Sequence, residues 1–156
     1  MKDPRKSDVD AKAAYSEYLK LEGYTDVKVI ASPADISAKK NGQNFFFEIK
    51  KTTRKNIYFG ASTITEWEGA FNNKGKYFFV IAKSLEEGGW EFTRYKPEEL
   101  MKFSTIPPMH LYFNVPLTDE EKLKKRSHKT AIVATEARIQ KIINFYKEMK
   151  NDTLKD

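Results

Sequence analysis

The sequence predicts an α/β fold: a central mixed β-sheet flanked by helices, with a further helix at the C-terminus. Three observations lead there. Apolar residues recur at helical spacing near both ends, at Ala11, Ala14, Tyr15, Tyr18 and Leu19 and again at Ile139, Ile142, Ile143, Tyr146 and Met149. Between them lie short β-rich runs separated by turn residues. One run, Tyr77 to Ala82, is continuously apolar, the pattern of a strand covered on both faces. Helices and strands in this order pack most simply as a sheet with helices on both sides.

The first helix is expected from about Ser7 to Glu22, stopped by Gly23. Strands follow at Val27 to Ala31 and Asp35 to Lys39. Asn41-Gly42 is a hairpin turn signal, and beyond it runs the strand Phe45-Phe46-Phe47-Glu48-Ile49-Lys50. A further strand is expected at Ile57 to Ala61. Thr63 and Glu66 have the spacing of a capping box, opening a helix to about Asn72. After Tyr77 to Ala82, Gly88-Gly89 turns the chain into Trp90 to Tyr95, and Pro97 can start a short helix. Pro107-Pro108 precedes a strand from Met109 to Val115, and Thr118 with Glu121 makes a second capping box before the last helix.

A chain of 156 residues fits a single domain, residues 1–156, with a core over about 5–115 and a helical extension over about 118–150. Apolar residues at 40% are enough for one core, so wholesale disorder is not expected. Without cysteine, disulfides and thiolate zinc sites are excluded, which suits a reducing compartment. His110 and His128 are the only histidines, which leaves little support for a His-rich zinc site or an HNH-type nuclease. The net charge of +6, from 28 basic and 22 acidic residues, favours a polyanionic partner without requiring one. No apolar run approaches the length of a membrane span, so no membrane partner is expected. Met1-Lys2-Asp3-Pro4-Arg5-Lys6 has charge but no apolar stretch behind it. The expectation is therefore no signal peptide and a cytoplasmic protein.

The chemistry concentrates in Ser32-Pro33-Ala34-Asp35 and Phe47-Glu48-Ile49-Lys50. Glu48 and Lys50 are two apart on one strand, so their side chains share a face. The Asn41-Gly42 turn folds the Asp35 strand against them. Two carboxylates can hold Mg²⁺, a hard cation that prefers oxygen ligands and keeps some of its waters, with Mn²⁺ as the expected substitute. The Ile49 carbonyl is a candidate extra ligand. Such a metal activates water and stabilises charge on a phosphate, and a neighbouring lysine holds the water or offsets transition-state charge. Glu-x-Lys alone is weak, since roughly half of chains this size carry one by chance. Its place at the end of an apolar strand is stronger, because charge there needs a reason. The plain alternative is that Glu48 and Lys50 pair on a solvated strand face.

Asp35 and Glu48-Ile49-Lys50, with their flanking elements, resemble the PD-(D/E)XK nuclease superfamily, which includes many restriction enzymes. Phe47-Glu48-Ile49-Lys50-Lys51-Thr52-Thr53, Ile64-Thr65-Glu66-Trp67 and Tyr77-Phe78-Phe79-Val80 are similar to the nuclease-like domain at the C-terminus of NO VEIN proteins. The basic N-terminus, the helix closing at Gly23-Tyr24 and the two charged strands resemble archaeal Holliday-junction resolvases. The resemblance covers about residues 5 to 95. It implies a restriction-endonuclease-like core and a Mg²⁺-dependent DNA endonuclease, with Asp35, Glu48 and Lys50 catalytic and Asp35, Glu48 and Ile49 holding metal. In one respect the chain departs from it. The resolvases carry a glutamate in the first helix where Lys12 stands near here. Asp8, one turn earlier, is the candidate substitute, and Glu17 is read as solvated.

Other features have two readings each. Lys51, Arg54 and Lys55 are candidate phosphate contacts or a solvated basic loop. Lys124, Lys125 and Arg126, within the basic run from Lys122 to Lys129, are candidate DNA contacts or a solvated helix face. Trp67 is read first as core and Glu66 as a cap. Ser32 can reach the site or form a turn with Pro33. The leading expectation is a restriction-enzyme-like DNA endonuclease, acting as a homodimer if it breaks both strands. The alternatives are a structure-selective Holliday-junction resolvase and a catalytically silent nucleic-acid-binding module.

Overall fold

The computed structural model describes residues 4–58, 60–104 and 129–152. The chain divides into two compact units, Met1–Lys102 and Phe103–Asp156. The first unit is α/β, with a five-stranded mixed sheet flanked by helices. Its order is α1 (Pro4–Leu21), β1 (Thr25–Val29), β2 (Ile36–Lys40), β3 (Gln43–Thr52), α2 (Ile64–Asn72), β4 (Tyr77–Ser84), β5 (Trp90–Tyr95) and α3 (Pro97–Met101). The strands lie in sequence order across the sheet. All neighbours are antiparallel except β3 and β4, which α2 joins as a parallel crossover.

Local chemistry accounts for the boundaries. Gly23, at φ 85°, ends α1 by letting its own N–H bond Lys20 and the N–H of Tyr24 bond Leu19. Asn41 and Gly42 both adopt positive φ, as a two-residue hairpin between β2 and β3 requires. Thr63 and Glu66 close the expected capping box at the start of α2.

Ala11, Tyr15 and Leu19, four residues apart, are fully buried on one stripe of α1. They join Ile36, Ala38, Phe47, Ile49, Val80 and Ala82 in one core on that face of the sheet. Tyr18, expected on the same stripe, lies at its margin and is exposed. On the opposite face the Trp67 ring of α2 packs 4.9 Å from Phe79, confirming its core reading.

One expected strand is absent. Ile57, Tyr58, Gly60 and Ala61 form no strand, and Ile57 is exposed. Both edges of β3 are already paired, to β2 and β4, so the following segment has no free strand beside it and runs as a loop. The first two strands also shift slightly, to 25–29 and 36–40.

In the second unit, α4 (Lys129–Asp152) is the expected last helix. Ile139, Ile142 and Ile143 on it are half-buried. The side chains of Tyr146 and Met149, the strand at 109–115, the 118–121 cap, both histidines and Lys124, Lys125 and Arg126 lie outside the described residues. Among the described residues, no helix is long and apolar enough to cross a membrane.

Candidate active site

The β2–β3 ladder ends at Ile36 opposite Phe47. Asp35 precedes it, and its Oδ2 accepts the N–H of Ile49 at 2.9 Å. The side chain therefore takes a backbone donor that β2 no longer reaches, which fixes the carboxylate beside β3. Glu48 and Lys50 share the α2 face of β3, as their spacing predicts, opposite Phe79 and Ile81 of β4. Lys50 Nζ lies 3.1 Å from Glu48 Oε1 and 2.6 Å from Glu66 Oε2. Glu66 thus does more than cap α2. The same Oε2 accepts the Thr63 N–H at 3.1 Å, so the capping box also aims the carboxylate at Lys50.

Among the described residues the cluster is short of positive charge. Glu48 is buried, and burial followed by the repulsion of Asp35 pushes its pKa up to about 7; Glu66 adds to the rise while Lys50 opposes it. Burial works against the charge on Lys50, but Glu66 and Glu48 outweigh it, and the lysine stands above its ordinary value. Lys50 is therefore a firm cation near neutral pH, able to donate hydrogen bonds but not to accept a proton. Glu48 and Lys50 do pair, as the plain reading of the motif had it, but in a buried cluster rather than on a solvated face.

The loop that carries Asp35 is held from behind. Tyr77 Oη donates to the Pro33 carbonyl at 3.1 Å. Gly69 of α2 lies against the same residue, where a Cβ would come within 2.8 Å of the Pro33 oxygen. Neither residue carries a signal in the sequence beyond an apolar strand and a helix. Their role arises only when α2 crosses over Pro33.

The expected first-helix acid is reached indirectly. Lys12 Nζ sits 3.1 Å from Asp8 Oδ2 and 2.7 Å from Asp35 Oδ1, so Asp8 meets the cluster through a lysine. Burial opposes the charge on Lys12, and Asp35 and Asp8 more than restore it. Glu17 lies apart, on an exposed pair with Lys20. Ser32 is exposed.

The basic residues at and beyond the end of β3 do not converge on the cluster. Lys51 is on the opposite face of the strand from Lys50. Arg54 is exposed, and its N–H bonds Thr52 Oγ1. Lys55 pairs with Glu86 at 2.7 Å on the surface.

The donor set suits a hard divalent ion. Asp35 and Glu48 offer carboxylate oxygens, and burial together with the repulsion of Asp35 raises Glu48, a cost that a cation beside it would relieve. Among the described residues no group of three or more acids and histidines forms a metal cluster. The two carboxylates would leave most of a six-oxygen shell to water and substrate, which Mg²⁺ accepts. Comparison with protein-family models, with curated proteins and with solved structures returns no match to the chain.

Proposed function

We propose that this chain is a Mg²⁺-dependent DNA endonuclease with a restriction-endonuclease-like core. The observation that carries the reading is the convergence of Asp35, Glu48 and Lys50 at one end of the β2–β3 ladder, with acid in excess. The order of helix, three antiparallel strands, helix and parallel strand supports it, being the order the superfamily resemblance implies.

In this reading Asp35 and Glu48 hold the metal, with the Ile49 carbonyl as a further donor. A divalent ion there lowers the pKa of a bound water and offsets charge on the scissile phosphate. Lys50, held on two sides by Glu48 and Glu66, presents a fixed ammonium to the attacking water or to the developing phosphorane charge. Being fully charged, it positions and stabilises rather than takes the proton. The net charge of +6 provides attraction to a polyanion, with Lys51, Arg54, Lys55, Lys124, Lys125 and Arg126 as the proposed backbone contacts. One set of catalytic residues per chain makes a homodimer the expected species for double-strand breaks.

One observation favours a second reading, a nucleic-acid-binding module without catalysis. Both oxygens of Asp35 already have partners, Lys12 and the Ile49 N–H. Incubation of supercoiled, linear and four-way-junction DNA with wild type and Asp35→Ala, with and without Mg²⁺, separates the readings. Mg²⁺-dependent cleavage that Asp35→Ala loses supports the nuclease. Binding without cleavage by wild type, across all three substrates and with Mn²⁺ as well, supports the silent module. Selective cleavage of the junction identifies a resolvase.

A further inference from the structure

We infer that Lys12 is a resident counter-cation of the site, one that a divalent ion must displace from Asp35, and that it holds the metal affinity of the free protein low. The inference rests on the proposed metal site but concerns a residue that site does not include. It begins with the two oxygens of Asp35. Oδ2 accepts a backbone N–H from Ile49, a donor fixed in place by the β3–β4 pairing. Oδ1 accepts from Lys12 Nζ at 2.7 Å, a donor on a flexible four-carbon stem. An incoming cation therefore meets a rigid partner at one oxygen and a movable one at the other. Oδ1 is the position it can take.

The pair is not a loose surface contact. Side-chain exposure is 23% for Lys12 and 19% for Asp35, so solvent screens their attraction only in part. Lys12 follows the fully buried Ala11, which anchors this turn of α1 against the core. Asp8, one turn back, holds the same ammonium at 3.1 Å and gives it a place to stay once Asp35 is taken. A displaced Lys12 would then remain close to the metal as a like charge, which lowers affinity further. A phosphodiester arriving at the site brings a negative charge that offsets part of this repulsion. Lys12 thus makes tight metal binding depend on the substrate.

The test is Mn²⁺ binding by calorimetry, without DNA, to wild type, Lys12→Met, Lys12→Gln, Lys12→Arg and Asp35→Asn. Lys12→Met keeps most of the aliphatic stem and loses the charge; Lys12→Gln guards against a packing defect peculiar to Met. Circular dichroism checks that each variant is folded. Both neutral variants should bind Mn²⁺ at least tenfold more tightly than wild type, Lys12→Arg should stay near wild type, and Asp35→Asn should lose binding. Equal or weaker binding by folded neutral variants, with Asp35→Asn still deficient, overturns the role of Lys12 and leaves the metal site standing. Absence of Mn²⁺ binding in wild type and in both neutral variants overturns the role of Lys12 and the proposed metal site together.

Discussion

Both faces of the sheet hold charge at least partly out of water, and they balance it differently. On the α1 face, Arg94 lies among the rings of Tyr15, Tyr24, Phe47 and Phe78, with its guanidinium carbon 5.2 Å from the Phe47 centroid. It donates to Tyr15 Oη at 2.8 Å and to Glu22 Oε2 at 2.6 Å. Although burial opposes it, Arg94, with the Tyr18 hydroxyl and Lys40, holds the Glu22 carboxyl below its usual value. On the α2 face, Glu48 and Glu66 pair with Lys50, while Asp35, held by Lys12 of α1, repels Glu48. There burial, with the repulsion of Asp35 added, pushes Glu48 up to about 7. A matched, half-buried pair holds elements together. An excess of buried acid is costly unless it awaits a cation. The first face is balanced within its own side chains, and in the proposed reading the second is left for a cation.

The largest expected effect is on the second face. Lys50→Ala should slow nicking of supercoiled DNA by about a hundredfold or more while gel-shift affinity hardly moves. Cleavage at the wild-type rate would remove Lys50 from the reaction and end the contrast between the faces. The next effect lies on the first face. Arg94→Ala should cost about 2–3 kcal/mol in urea unfolding, since it strips a cation from four rings and removes charge-assisted hydrogen bonds to Tyr15 and Glu22. Mn²⁺ affinity should be unchanged, and a parallel loss of metal binding would show that the two faces are not separate.

A smaller effect should follow from Gly69→Ala. The new Cβ would press on the Pro33 carbonyl, a backbone atom that cannot swing aside. Helix propensity returns about 1 kcal/mol for this change, so the net destabilisation should be only about 1–2 kcal/mol. The sharper readout is calorimetric Mn²⁺ affinity, which should fall because the Pro33 loop delivers Asp35. Unaltered affinity would mean that the loop is not positioned by α2.

The smallest effect depends on pH. The folded-state pKa of Glu48 is raised to about 7 from 4.5, so the unfolded chain gives up this proton first as pH rises. The associated stability is complete below about pH 4.5 and is lost as pH climbs through about 7. Glu48→Gln has no such proton. Without metal it should exceed wild type by about 1–3 kcal/mol at pH 8, and the gap should close near pH 4.5. A gap that stays constant with pH would place the repulsion elsewhere.

Much of this molecule is written in local chemistry. Gly23 ending a helix, Asn41-Gly42 turning a hairpin and Thr63 with Glu66 capping α2 are each decided by a few neighbouring residues. The period of two placed Glu48 and Lys50 on one face, and the apolar run at Tyr77 marked a strand covered on both sides. What the sequence could not decide was which distant groups would meet. The Ile57 segment failed as a strand because β3 had no open edge, a fact of sheet order rather than of residue preference. Glu66 reads as a cap, and only the crossover of α2 over β3 brings it to Lys50. Lys12 stands in the sequence near the place of an acid, and only the packing of α1 turns it toward Asp35. Short-range preferences act over one turn of chain and survive in the sequence. Charge balance at the site sums over elements far apart along the chain, so it exists only once the tertiary structure has gathered them.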